Sequence, residues 1–145
     1  EFRRRVDDNE FIEWAFVHQH YYGVTKKEID RIRTVEKIPL FDVDVQGARN
    51  LKKKLADGVF IFIVPPSLDV LRDRLNNRKT ESEEQIAIRL RNAVEEMKSY
   101  SLYHYIVVNE NIDESCNCIK AIMTAESCAT GRCRHRIIDM IGGIT

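Results

Sequence analysis

The most apolar segment of this chain runs from Val59 to Val64 and lies between Gly58 and Pro65-Pro66. A short apolar run with Gly and Pro at its ends is typical of a β-strand buried on both faces, because such a strand has no solvent side for polar residues. A similar run, Ile38 to Val43, precedes it, and Tyr105 to Val108 follows it. The three segments predict a sheet with Val59 to Val64 as its central strand.

Helical patterns separate these strands. Four of the predicted helices follow a residue whose side chain can cap the first turn of a helix. The candidates are Thr25 for the first, Ser67 for the second, either Thr80 or Ser82 for the third, and either Asn111 or Asp113 for the fourth. The predicted helices comprise residues 2–9, Lys26 to about Arg33, Gln46 to Leu55, one after Ser67, one ending at about Tyr100, and one through Ile119, Ile122 and Met123. Strands that alternate with helices predict an α/β domain with a largely parallel sheet.

Two further strands are predicted near the start of the chain, at Phe11 to Val17 and at Tyr21-Tyr22, with a turn at His18-Gln19-His20 between them. Gly23 follows the second strand, and a glycine there allows a close approach of the backbone to a ligand.

Three carboxylates lie in apolar, strand-like surroundings: Glu13 in the first strand, and Asp42 and Asp44 at the end of the Ile38 to Val43 run. Because side chains alternate along a strand, Asp42 and Asp44 are predicted to point to the same side. Carboxylates in such settings are costly to bury unless they meet donors or a cation. A purine base or a metal ion would satisfy them, and the alternative for Asp42 and Asp44 is a buried structural pair satisfied by the backbone and by Lys or Arg.

Composition excludes several classes of function. The 145 residues suit one domain with a core, and a formal net charge of +0 gives no reason to expect nucleic acid or an anionic membrane as a partner. No apolar run reaches the roughly 18 residues of a membrane span, and no signal peptide is visible. All four cysteines lie in the last third of the chain, which favours reduced thiols in a cytoplasmic protein. The spacing Cys128-x4-Cys133-x-His135 matches no standard zinc pattern.

An ordered set of motifs covers residues 2 to about 126 and resembles the guanylate kinase family. The motifs are Glu10-Phe11-Ile12-Glu13-Trp14-Ala15, Tyr21-Tyr22-Gly23, Asp42-Val43-Asp44-Val45-Gln46-Gly47-Ala48, Pro65-Pro66-Ser67, Arg74-Leu75-x-x-Arg78-x-Thr80-Glu81, Arg89-Leu90 and Val107-Val108-Asn109. Any one of them is weak evidence, whereas their order and spacing together are specific.

The resemblance implies a P-loop NTPase-like fold, with a mostly parallel sheet, flanking helices, a GMP-binding subdomain and a lid. Residues 1–145 would form one partial domain, with 1–37 in the GMP-binding subdomain, 38–75 and 92–128 in the core, 76–91 in the lid, and 129–145 as a tail of unassigned role. The family's phosphate loop, G-x-x-x-x-G-K-[ST], occurs nowhere in the sequence. We expect that loop and the first strand to precede residue 1, and this chain alone to be inactive.

The resemblance assigns GMP binding to Glu13, Tyr22 and Asp44. Guanine presents N1–H and the N2 amino group side by side, so a carboxylate can accept from both, whereas adenine presents an acceptor at N1. Tyr22 would hydrogen-bond the GMP phosphate. Val24 stands where the family usually has Ser or Thr, which removes one hydroxyl contact to the base. The alternatives are a solvated strand residue for Glu13 and a packed aromatic for Tyr22.

Phosphoryl transfer is assigned, by the same resemblance, to Arg74, Arg78, Arg89 and Asp42. The arginines would stabilise the charge that spreads over the transferring oxygens. Asn109, with Arg78, would contact ATP. Mg²⁺ would accompany ATP, with Asp42 holding it through water and no side chain binding it directly.

The predicted function is transfer of the γ-phosphoryl group of ATP to GMP in the cytoplasm, by a protein that is a monomer or a homodimer and binds neither nucleic acid nor membrane. One alternative is a non-catalytic guanylate-kinase-like scaffold that binds phosphorylated peptides, which would suit the loss of the phosphate loop. Retention of the lid arginines favours the enzyme. A kinase for another nucleoside monophosphate is the third reading, because of Val24.

Overall fold

A computed structural model describes residues 1–17, 20–35, 37–77 and 82–142. The chain divides into two compact units, Glu1–Phe60 and Ile61–Thr145. Helices together with a parallel strand pair confirm the α/β class. Within the described residues, the sheet structure consists of one antiparallel pair and one parallel pair. The predicted division into core, lid and GMP-binding subdomain stays a prediction.

In its described residues, the first unit contains an antiparallel hairpin and three helices. Its elements are α1 (Phe2–Asp7), β1 (Phe11–Val17), β2 (His20–Thr25), α2 (Lys26–Thr34) and α3 (Val45–Lys54). The predicted hairpin is confirmed, and β2 is longer than expected. The predicted turn at His18-Gln19-His20 is wrong at His20, which begins β2, while His18 and Gln19 lie outside the described residues.

Capping residues set the starts of α2 and α3. The hydroxyl of Thr25 accepts a hydrogen bond from the Glu28 backbone N–H at 3.2 Å, as the sequence predicts. Asp44 does the same for α3 through the Gly47 N–H. Three lysines in the last turn of α3 complement the negative end of the helix dipole.

The core of this unit is formed by Ile12, Ile29 and Leu51, one residue from each of β1, α2 and α3. Leu51 is 2 % exposed, so its side chain has left water almost completely. Five partly buried side chains pack against this core: Val24, Phe41, Val43, Leu55 and Phe60. Leu51 and Leu55 therefore anchor α3 to the hairpin.

The prediction of a strand at Ile38 to Val43 is wrong. No strand is present there, and Ile38 and Leu40 are 68 % and 86 % exposed. Phe41 and Val43 pack against the core instead. A strand needs a neighbour for its backbone hydrogen bonds, and no strand of the described residues pairs with this segment. The segment leads into α3 without regular secondary structure.

The second unit contains a parallel strand pair and four α-helices in its described part. Its elements are β3 (Ile61–Val64), α4 (Leu68–Asn77), α5 (Glu83–Met97), a 3₁₀ turn (Tyr100–Leu102), β4 (Tyr105–Val108), α6 (Ile112–Ser127) and α7 (Thr130–Gly142). β3 and β4 pair in register from Ile61 opposite Tyr105 to Val64 opposite Val108.

Some expectations for this unit need correction. β3 is shorter than predicted and has one partner among the described residues, so it is not a central strand there, and Ile63 is 51 % exposed. The tail after Ala129, for which no element was predicted, forms α7. The helix predicted to reach about Tyr100 ends at Met97.

The helix caps of this unit follow the sequence closely. Ser67 caps α4, and Ser82 forms a reciprocal capping box with Gln85 at the start of α5. Asn111, rather than Asp113, caps α6 by accepting from two backbone N–H groups. None of the helices in the described ranges is long and apolar enough to cross a bilayer.

Candidate functional site

The pairing of β1 with β2 places two predicted GMP-binding residues on one face of the hairpin. Glu13 lies opposite Val24, and the backbone of Ala15 lies opposite Tyr22. Opposed residues share a face and successive residues alternate, so Glu13 and Tyr22 point to the same side. Tyr22 is 58 % exposed, so its hydroxyl is open to a ligand.

The opposite face of the hairpin carries an aromatic cluster. The rings of Phe2 and Tyr21 stack with centroids 4.9 Å apart, and the Phe16 and Tyr21 rings lie 4.6 Å apart. Gly23 belongs to this face, because a Cβ there would lie 2.7 Å from the Phe11 ring. The close approach that requires glycine at this position is therefore made by Phe11, and not by a ligand as the sequence suggested.

Glu13 has a carboxyl group whose surroundings shift its pKa. Burial, and then the Asp44 carboxylate, raise the pKa of the Glu13 carboxyl above its ordinary value, while the Lys54 ammonium opposes that rise. Both charged neighbours belong to the helix α3 and its cap, which pack on β1. A half-buried carboxylate with an elevated pKa is a common feature of ligand sites.

Lys54 was missed by the sequence reasoning. Its Nζ donates a 2.8 Å hydrogen bond to the Ile12 carbonyl and a 3.5 Å bond to that of Phe11. The only sequence signal was its place three residues after the core position Leu51, on the same side of the helix. A lysine at the end of a helix is normally explained by the helix dipole and by solvation, so this signal is weak.

Asp44 is the N-cap of α3. Its Oδ1 accepts a hydrogen bond from the Gly47 N–H at 2.7 Å, and a Cβ on Gly47 would lie 2.9 Å from the Val43 side chain. The predicted alternative of a buried structural pair agrees in part, because a backbone donor holds Asp44 but Asp44 is exposed. Asp42 and Asp44 are both exposed, while Phe41 and Val43 pack on the core, in agreement with the predicted alternation.

A residue predicted for phosphoryl transfer and one predicted for ATP binding meet in the second unit. Arg74 and Asn109 line a cavity of about 440 Å³ with Glu110, Asn111 and Ile112. The Arg74 guanidinium donates to the Glu110 carbonyl at 3.2 Å. Asn109 follows β4 directly, and loops after the carboxyl ends of parallel strands are common ligand sites.

The remaining predicted arginines lie in or near the segment between α4 and α5. Arg89 is exposed on α5, one turn after the buried Ile86. Arg78 lies outside the described residues. Within the described part of the chain, no group of three or more His, Cys, Asp or Glu side chains could together hold a metal ion.

The guanylate kinase family model matches residues 1–126. A guanylate kinase of Caldanaerobacter subterraneus subsp. tengcongensis is 42% identical over 132 residues, which are 91% of this chain and 64% of that protein. A guanylate kinase of Bartonella henselae is 42% identical over 134 residues, which are 92% of this chain and 60% of that protein.

A solved structure is also similar to this chain. The crystal structure of guanylate kinase from Anaplasma phagocytophilum superposes with a TM-score of 0.71 at 32% identity, covering 90% of this chain and 63% of that one. The chain thus spans less than two thirds of the length of these relatives. From the family match over 126 residues and the shared fold, the chain belongs to the guanylate kinase family.

Proposed function

We propose that the whole protein containing this chain transfers the γ-phosphoryl group of ATP to GMP. The observation that carries the proposal is the hairpin face on which Glu13 and Tyr22 lie together, with the Glu13 carboxylate half-buried beside Asp44 and Lys54. Family membership supports the same reaction.

Glu13 would read the guanine base. Its ionised carboxylate can accept hydrogen bonds from N1–H and from the N2 amino group, and hydrogen bonds to a charged acceptor are the stronger kind. Adenine would place its N1 lone pair against the same carboxylate and leave both groups unsatisfied. Tyr22, on the same face, would donate a hydrogen bond from its hydroxyl group to an oxygen of the GMP phosphate.

Asp42 fits the way in which nucleotide-bound Mg²⁺ is held. This cation is bound mainly by phosphate oxygens and water, with one or two carboxylates from the protein. Asp42 is one exposed carboxylate next to the cap of α3, so it could hold a water of that shell. When bound, Mg²⁺ would neutralise charge on the phosphates. Asp44 would add a second acceptor near GMP, with its Oδ1 already engaged by Gly47.

The chemical step requires no protein nucleophile. An oxygen of the GMP phosphate would attack the γ-phosphorus of ATP, the bond from that phosphorus to the bridging oxygen would break, and ADP would leave with that oxygen. Arg74, Arg78 and Arg89 would stabilise the negative charge that spreads over the transferring oxygens. Asn109 would contact the adenine of ATP beside Arg74.

The compartment and assembly state are further parts of the proposal. All four cysteines are free thiols, which supports a reducing, cytoplasmic compartment. We propose that the protein works there as a monomer or a homodimer.

The test is ADP release by the whole protein with ATP and Mg²⁺, comparing GMP, AMP and no acceptor. We expect GMP to be the fastest acceptor. Glu13→Gln presents an amide donor to the base and removes a charge-assisted bond of about 1.5–3 kcal/mol, so kcat/KM for GMP should fall roughly 10- to 100-fold. Asp30→Asn, an exposed carboxylate change on α2, is the matched control and should leave the rate unchanged.

Faster turnover with AMP than with GMP would contradict the role of Glu13. GMP binding with no ADP release would contradict the reaction and favour a binding module.

A further inference from the structure

β1 contains a bulge immediately before Glu13. The register pairs Phe11 with Thr25 and Glu13 with Val24, so Ile12 is the extra residue. A bulge interrupts the ladder and turns the following side chains to the other face. Phe11 lies over Gly23 on the aromatic face, whereas Glu13 points to the Tyr22 face. The bulge therefore aims Glu13.

Lys54 holds this bulge from the end of α3. Its Nζ donates to the carbonyls of Ile12 and Phe11 at 2.8 and 3.5 Å, which are the backbone groups at the interruption. The two carbonyls are 42 and 43 residues away in sequence, so this is a tertiary link between helix and hairpin. Buried backbone carbonyls need such donors when a ladder partner is lost.

The same ammonium acts on the charge of Glu13. The charged and polar groups that face the Glu13 carboxylate are Asp44 and Lys54 from the α3 segment and Tyr22 from β2. Asp44 disfavours the ionised form, and Lys54 favours it. Lys54 therefore opposes part of the rise that burial and Asp44 cause in the pKa of the Glu13 carboxyl.

We propose that Lys54 is a positioning residue for guanine recognition. Its ammonium fixes the bulge that aims Glu13, and its positive charge opposes the negative charge of Asp44 next to Glu13. The inference rests on the proposed function, because it assigns Lys54 a role through the residue that reads the base. Lys54 need not touch GMP.

The last turn of α3 offers a matched control. Lys53 precedes Lys54 and is exposed. Lys52 is less suitable, because its ammonium lies 5.7 Å from the centre of the Phe60 ring. Lys53→Met and Lys54→Met remove the same charge from the same helix end, so they separate the bulge contact from a general effect on the helix.

The experiment measures kcat, KM for GMP and KM for ATP on the whole protein carrying Lys54→Met, Lys54→Arg or Lys53→Met. We expect Lys54→Met to raise KM for GMP about 10- to 100-fold, because a misplacement of about 1 Å can cost roughly 100-fold. KM for ATP should stay within twofold. Lys54→Arg should restore most of the GMP affinity, and Lys53→Met should behave as the unmodified protein.

A pH profile adds a readout that a purely structural role would not move. With Lys54→Met, the loss of GMP affinity on acidification should begin at a higher pH, because the Glu13 carboxylate has lost its counterion. Lys53→Met should leave the profile in place. The inference is overturned if Lys54→Met leaves KM for GMP within twofold, if it raises both KM values equally, or if the profile does not move.

Failure of the proposed reaction is distinguishable from failure of this inference. Equilibrium dialysis with labelled GMP measures GMP binding without turnover. If the unmodified protein binds GMP but releases no ADP, the proposed reaction is wrong. The role of Lys54 is then tested by the dissociation constant for GMP of the Lys54 variants. If the unmodified protein does not bind GMP, both are overturned.

Discussion

Two substitutions at the N-cap of α3 can distinguish a structural role of Asp44 from a role in GMP binding. We consider two substitutions, Asp44→Ala and Asp44→Asn. The structure gives Asp44 one backbone bond, from the Gly47 N–H to Oδ1 at 2.7 Å. Asparagine has an oxygen at the same place and is as good an N-cap as aspartate, whereas alanine has none.

The expected magnitudes follow from that single bond. Loss of an N-cap costs about 1 kcal/mol, and loss of a negative charge at the start of a helix costs about 0.3–1 kcal/mol. Asp44→Ala loses both, so its free energy of unfolding should fall by about 1–2 kcal/mol. Asp44→Asn loses only the charge and is relieved of repulsion with Glu13, so its change should be below about 0.5 kcal/mol.

Urea unfolding followed by Trp14 fluorescence measures both variants, because Trp14 lies in the same unit as α3. With a urea slope of about 2 kcal/mol per molar, Asp44→Ala should lower the midpoint by roughly 0.5–1 M. Equal shifts for the two variants, or a shift below about 0.1 M for Asp44→Ala, would refute the capping argument. If Asp44 also contacts GMP, Asp44→Asn should raise KM for GMP with the midpoint nearly unchanged.

Three more results are expected. Leu51→Ala should destabilise the protein by about 2–5 kcal/mol in the same urea assay, because Leu51 is 2 % exposed and its loss leaves a cavity between Ile12 and Ile29; a loss under about 1 kcal/mol would contradict the core assignment. Burial and Asp44 raise the folded-state pKa of Glu13, so the folded state binds this proton more tightly than the unfolded chain. The Glu13 contribution to the free energy of unfolding should therefore rise as the pH falls from that raised pKa towards the ordinary value, while GMP affinity falls. Urea midpoints across pH should show this slope in the unmodified protein and lose it in Glu13→Gln; an unchanged slope would exclude Glu13 as its source. Chelation of divalent cations should abolish ADP release, and added Mg²⁺ should restore it, whereas full activity with a chelator would contradict the proposed ATP–Mg²⁺ substrate.

Local sequence patterns predicted the elements of this chain well. Thr25, Ser67, Ser82 and Asn111 cap the helices that follow them. Each cap is a bond to a backbone N–H two or three residues ahead, so the information lies in a few adjacent residues. The hairpin is predictable for a similar reason, since β1 and β2 are joined by a short connection.

Patterns that need a distant partner were less informative. The Ile38 to Val43 run has the composition of a buried strand, but composition does not supply a neighbouring strand, and the segment forms no ladder with the described strands. Val59 to Val64 was predicted as a central strand from its apolar composition. The part that forms β3 has one partner strand in the described residues, so it is not central there. Local apolarity indicates burial but does not specify which element provides it.

The sequence by itself determined the family, the helix starts, the hairpin and the identity of Glu13 and Tyr22 as candidate GMP ligands. Only the tertiary structure decided that a bulge turns Glu13 onto the Tyr22 face, that Asp44 caps a helix beside it, and that Lys54 holds the bulge. The reason is one of distance along the chain. Caps and turns form among neighbouring residues, whereas the bond from Lys54 to the Ile12 carbonyl spans 42 residues and exists only once α3 has packed on the hairpin.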